Sequence, residues 1–277
     1  MNDATDRPYP VRSVASVLGR EHAIVAMIHL DALPGSPRAS RAPREIAARA
    51  AAEARLLAGA GFDAILLENM HDAPYLPRTV APETVAAFTR AACEVRAAVD
   101  LPLGVQVLAG ANHAALAIAV AAECAFIRAE GFVFASVADE GLLAEADAGP
   151  LLRARRAMGA EGVAVYCDIK KKHSAHAVTA DTSLADHAHA AEFFGADGVI
   201  VTGTATGVAT PVADLGAARR ACGLPVLAGS GATAASVREV LATADAVIVG
   251  SDLKADSRWW NAPDPARIER FVRAARG

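Results

Sequence analysis

Lysine is scarce in this chain: only Lys170, Lys171, Lys172 and Lys254 occur among its 27 basic residues. With 31 acidic residues the formal net charge is −4, so no basic excess points to nucleic acid or an anionic membrane surface. Cysteine is limited to Cys93, Cys124, Cys167 and Cys222, widely spaced and without a CxxC pair. That excludes a disulfide framework or a zinc ribbon and leaves buried thiols in a reducing cytoplasm. No apolar run reaches the roughly 18–20 residues of a membrane span, and the polar first 20 residues hold no signal-peptide core. A GxGxxG turn after the first strand and an HExxH motif are both missing.

What is present is a core. Hydrophobic residues make up 53% of the 277 positions, and short β-branched runs alternate with Ala-, Leu- and Arg-rich helical stretches throughout. The strand-like runs start at Ala23, Phe62, Pro102, Ala125, Val163, Gly198, Pro225 and Ala246. They are continuously apolar, as expected of parallel strands covered on both faces. Predicted helices include Arg44 to Ala60, Pro82 to Val99, Leu184 to Phe194 and Thr233 to Thr243, while residues 131–149 read as a loop or short insertion. About eight βα units in one chain predict a single TIM (β/α)8 barrel over residues 1–277, with an N-terminal extension of about 20 residues.

In such a barrel the chemistry sits where strands end. Those ends carry His29 and Asp31, Glu68 and Asn69, Gln106, Arg128 and Glu130, then Asp168, Lys170, Lys172 and His173. Thr202 and Gly203 follow the sixth strand, Gly229-Ser230-Gly231 the seventh, and Gly250-Ser251 the eighth. Glycine lets successive backbone amides approach an anion, so the last two turns with Gly203 form a candidate phosphate cradle. A helix starting at Thr233 would add its N-terminal amides. Asn69, Gln106, Glu130 and Thr202 are candidate substrate contacts.

A carboxylate ending an apolar strand must be paired, metal-bound or catalytic. Glu68 and Asp168 are therefore candidate bases or ligands of a divalent cation, and ion pairing with Arg128 or Lys170 is the alternative. His29, Asp31, Arg128, Lys170, Lys172 and His173 complete the catalytic candidates. No cofactor is otherwise indicated. His187 and His189, two apart on a helix, read as surface or packing residues. The pair Trp259-Trp260 reads either as packing that closes the barrel or as a partner-binding surface for homo-oligomerisation or assembly.

With these residues assembled, the chain resembles the BtpA family, also called the BtpA/SgcQ family, over nearly its full length. The resemblance rests on Met27-Ile-His-Leu-Asp-Ala-Leu-Pro-Gly-Ser-Pro37, Gly61-Phe-Asp-Ala-Ile-Leu-Leu-Glu-Asn-Met70 and Asp168-Ile-Lys-Lys-Lys-His173. Gly195 to Gly203, Val226 to Gly231 and Val249 to Lys254 extend it. It implies a barrel similar to ribulose-phosphate-binding proteins. Some cyanobacterial members are associated with photosystem I biogenesis, and members of the SgcQ type accompany genes for sugar uptake and sugar phosphates. The expected function is an enzyme acting on a small phosphorylated sugar or nucleoside-type metabolite by isomerase, lyase or hydrolase chemistry. The alternative is a non-catalytic photosystem I assembly factor.

Overall fold

The computed structural model describes residues 10–170, 174–175, 177–203 and 209–277. Eight parallel strands close a barrel, each paired with its neighbours in sequence and the last with the first. They are β1 (Ala23–His29), β2 (Ala64–Glu68), β3 (Leu103–Gln106), β4 (Phe126–Ala129), β5 (Ala164–Asp168), β6 (Gly198–Val201), β7 (Val226–Ala228) and β8 (Ala246–Val249). A short helix, α1 (Val14–Leu18), precedes β1. Helices α2 (Pro43–Ala60), α3 (Pro82–Ala98), α4 (Asn112–Ala121) and α5 (Ala148–Ala157) follow β1 to β4. The second half continues with α6 (Leu184–Phe193), α7 (Val212–Ala221), α8 (Val237–Leu241) and α9 (Pro265–Arg276) after β5 to β8.

Helix boundaries follow local chemistry. Proline occupies the first turn of α2, α3 and α9, where a missing N–H costs nothing. Ser183 and Asp186 cap α6 reciprocally, and Gly61 ends α2 at φ +99°. Helix α8 departs from expectation, beginning at Val237 rather than Thr233. Its expected first amides are claimed by side chains: Thr233 N donates to Ser236 Oγ (3.1 Å) and Ala234 N to Asp252 Oδ2 (3.0 Å). A second difference lies in residues 131–149, where Ser136–Ala138 and Gly141–Leu143 form an antiparallel hairpin. Ser174–Ala175, from the loop after β5, adds a third strand to it. Three-residue strands paired across that distance leave no periodicity to read.

Strand alternation divides the core in two. Val25 and Met27 of β1, Leu66 of β2, Phe126 of β4 and Tyr166 of β5 fill the barrel interior. Their sequence neighbours, such as Ile24, Ile28, Leu67 and Val165, pack outward against the helices. Val14, Val17 and Leu18 of α1 join the interior cluster. The two interior rings need empty space on adjacent strands. A Cβ on Gly104 would lie 2.2 Å from Phe126, and one on Gly198 would lie 2.6 Å from Tyr166.

At the N-terminal end of the barrel one device recurs. Asp63, Asp197 and Asp245 each stand just before an even-numbered strand and accept the amide of Ile24, Val165 or Val226 on the preceding strand. Their other oxygens, or the same one for Asp197, take Arg276 of α9, Arg155 of α5 and Arg219 of α7. Cys93 is exposed, unlike the buried thiol expected there, whereas Cys124 and Cys167 are buried.

Gly198→Ala should destabilise the fold by about 1–3 kcal/mol through overpacking against Tyr166. Urea denaturation of the two proteins at equal protein concentration measures it, and an unchanged midpoint would remove Tyr166 as the interior constraint.

Candidate functional site

Continuing the alternation upward places one inward residue of each strand at the C-terminal mouth: His29, Glu68, Gln106, Arg128, Asp168, Thr202, Gly229 and Gly250. A solvent-open cleft of about 640 Å³ lies over part of this ring, floored by Met27 and Ile248. His29, Glu68 and Arg128 line it together with Gly229, Ser230, Gly231, Gly250 and Ser251. These eight come from five different strand ends.

Arg128 is buried with its side chain 4% exposed and meets Asp168 in a fork. Its Nε donates to Asp168 Oδ2 at 2.9 Å and its Nη2 to Oδ1 at 2.8 Å. Burial by itself would lower the guanidinium pKa, but the Asp168 carboxylate outweighs it, and Glu68 and Glu130 add to the same upward shift. Both Asp168 oxygens are thus engaged by the arginine. The ion-pair alternative for Asp168 holds, with Arg128 as the partner. Among the described residues no group of three or more His, Cys, Asp or Glu is arranged to hold a metal ion.

His29 sits between two acceptors. Its Nδ1 donates to the Trp259 carbonyl at 3.2 Å, and its Nε2 lies 3.4 Å from Glu68 Oε2. With Nδ1 protonated toward the carbonyl, a proton on either Nε2 or Glu68 Oε2 serves the second contact, so the histidine and the carboxylate can share one transferable proton. The ring reaches this position because Gly250 has no side chain: a Cβ there would stand 3.0 Å from His29 Cε1. The Trp259 ring meets His29 edge-on at 5.7 Å and His71 at 4.9 Å.

The Gly-Ser part of the lining is built from backbone. Among the described residues, the amides of Gly231, Ala232 and Ser251 donate to no acceptor of the chain's own backbone. Ser230 Oγ accepts the Gly203 amide at 2.8 Å, which ties the turn after β6 to the turn after β7. Gly203 therefore braces the cradle rather than lining it.

Other expected site residues lie elsewhere. Asp31 turns outward to Arg49 (2.8 Å) and Arg41 (3.3 Å), because the chain beyond β1 carries it toward α2. Asn69 accepts the Leu108 amide at 2.8 Å and donates to Asp72 at 2.9 Å, holding the loops after β2 and β3 together. Burial pushes the Asp72 carboxyl above the usual range, against the opposing bonds from Leu33 and Asn69. Gln106 donates to Glu130 Oε1 at 3.4 Å, and Asn112 bridges the Glu130 carbonyl to Asp147. Thr202 is buried at the end of β6. Lys170 takes a left-handed backbone conformation at φ +45° and donates from Nζ to the Thr182 carbonyl. Lys172 and His173 lie outside the described residues. His187 is buried, tilted against the Phe134 ring and bonded to Thr182, as a packing residue would be. Asp252, which stands beside Gly250-Ser251 at the eighth strand end, lines the cleft, and the Trp259 carbonyl meets His29, although neither was among the expected site residues.

The family model described as the BtpA family matches residues 20–277. An uncharacterized mitochondrial protein of Caenorhabditis elegans is 41% identical over 266 residues, covering 94% of this chain and 95% of that protein. The photosystem I biogenesis protein BtpA of Synechocystis is 35% identical over 254 residues, covering 91% of this chain and 87% of its own length. In structure the chain is similar to (S)-3-O-geranylgeranylglyceryl phosphate synthase from Thermoplasma acidophilum in complex with its substrate sn-glycerol-1-phosphate. The TM-score is 0.60 at 16% identity, covering 95% of this chain and 96% of the other, which shows a shared fold.

Removing the carboxylate that answers Arg128 should be costly. Asp168→Leu should lose about 3–5 kcal/mol by leaving a buried charge unpaired. The double variant Arg128→Met/Asp168→Leu should lose less than the single one. Urea unfolding of the two variants and the parent gives the comparison, and a double variant that is the weaker of the two would contradict the pairing argument.

Proposed function

The chain belongs to the BtpA family, and we propose that it is an enzyme acting on a small phosphorylated sugar or nucleoside-type metabolite. One observation carries this reading. Among the described residues, backbone amides with no acceptor in the chain's own backbone line the same cleft as a histidine–carboxylate pair. A dianionic phosphate is the ligand that amide turns of this kind suit, because each N–H adds a hydrogen bond without a mobile side chain.

In this reading Gly231, Ala232 and Ser251 hold the phosphate and orient the remainder of the ligand over Met27 and Ile248. Glu68 accepts a proton from the substrate and His29 returns one from Nε2. Such exchange serves isomerisation directly, and the same pair can supply the acid and base of a lyase or hydrolase. Arg128 contributes fixed positive charge where negative charge develops. The likeness to a phosphate-ester-binding barrel adds support at the level of fold.

A second reading, a non-catalytic assembly factor, draws on the name of the Synechocystis relative and on Trp260, which is 55% exposed. The nematode relative, whose name carries no such role, matches over 94% of this chain. An assembly scaffold has no use for Glu68 as a base.

A panel of sugar phosphates, each beside its unphosphorylated parent, tests the proposal by thermal shift. Binding at about 100 times Kd stabilises by roughly 2.7 kcal/mol, or roughly 5–10 °C at about 2–4 °C per kcal/mol. The shift should require the phosphate and vanish in Ser251→Trp, which fills the cradle. Glu68→Gln should keep the shift and lose turnover. Flat curves with every phosphorylated compound would overturn the reading.

A further inference from the structure

The cradle has a carboxylate at its edge. Asp252 follows Ser251 and lines the same cleft, with its side chain 8% exposed. A negative charge beside a bound phosphate dianion in so sheltered a position repels it, and the local dielectric is too low for solvent to screen the effect. The carboxylate is nevertheless built in. Its Oδ2 accepts the amide of Ala234 at 3.0 Å, which fastens the turn after β7 to the turn after β8.

The cation that answers it comes from outside the cleft. Arg267, in the first turn of α9, donates from Nη2 to Asp252 Oδ1 at 2.6 Å and from Nε to the Asp252 carbonyl at 2.8 Å. Nη2 also reaches Ser257 Oγ. Arg267 does not line the cleft, and its side chain is 20% exposed on the outer layer of the barrel.

We propose that Arg267 is a positioning and specificity-determining residue for the anion cradle: by pairing with Asp252 it cancels the carboxylate charge next to Ser251 and so makes the amide turns fit for a phosphate dianion. This rests on the cradle reading above and adds who sets its charge. The structural and electrostatic parts separate cleanly, because Asn at position 252 keeps an oxygen to accept the Ala234 amide while carrying no charge.

The test uses inorganic phosphate as the probe and isothermal titration calorimetry as the readout, with unfolding midpoints measured for every unliganded protein. Arg267→Gln should weaken phosphate binding by tenfold or more. Arg267→Gln/Asp252→Asn should restore it to within about threefold of the parent, although it has lost more native contacts than the single variant. A merely structural arginine predicts the reverse order, with the double variant as weak as the single or weaker, and that result would overturn the proposal. So would an Arg267→Gln protein that binds phosphate like the parent. If the parent itself shows no phosphate binding that Ser251→Trp abolishes, the cradle reading fails and this inference falls with it. Parent binding combined with an unrescued double variant sinks the inference alone.

Discussion

A guanidinium placed at the mouth of a barrel must be answered by a carboxylate, and the Arg128–Asp168 fork meets that demand where the apolar interior ends. Below it, Phe126 and Tyr166 fill the space between strands with hydrocarbon and ring. Above it, the polar cleft begins. The pair is a boundary between two solvents, and its cost in desolvation is tolerated because each nitrogen used has its own oxygen at hydrogen-bond distance. The arginine also fixes the potential felt by Glu68, and through Glu68 by His29.

Much of this was legible in the sequence because it depends on short-range rules. Continuous apolar strands, alternating with helices such as α2, α3 and α6 whose predicted ends fall within one residue of those found, dictate a parallel barrel. Once the barrel is assigned, the period of two puts His29, Glu68 and Arg128 on one rim, in the same cleft as the Gly-Ser turns. Prediction failed where partners come from far away in the chain. Trp259 contacts His29 across 230 positions, and no local pattern encodes that return. Helix α8 starts late because Asp252 competes for an amide that propensity alone would give to the helix. Asp31 looks like a strand-end acid by position, yet the direction of the next loop hands it to two arginines.

The two walls of the cleft hold charge in different ways. On the His29 side, charge is carried by titrating groups close enough to exchange a proton. On the Gly231 side it is carried by peptide dipoles, which neither titrate nor move. Lysine, the usual mobile phosphate ligand, is placed on other duties in the described part of the chain. Lys170 braces a loop, and Lys254 is buried against Glu53. A ligand gripped by dipoles at one end and offered a proton at the other is held still where rigidity helps and met by acid–base groups where reaction requires them.

The aspartate latches at the opposite end of the barrel have an evolutionary consequence. Asp63, Asp197 and Asp245 each bind one strand, the next strand and one helix (α9, α5 and α7 respectively) into a two-strand module. Three modules repeat the device, so mechanical integrity is shared among equivalent joints and none of them touches the mouth. Loops at the mouth can then lengthen, shorten or exchange residues while every joint stays intact. A lineage built on such a plan can change what it recognises without having to relearn how to fold.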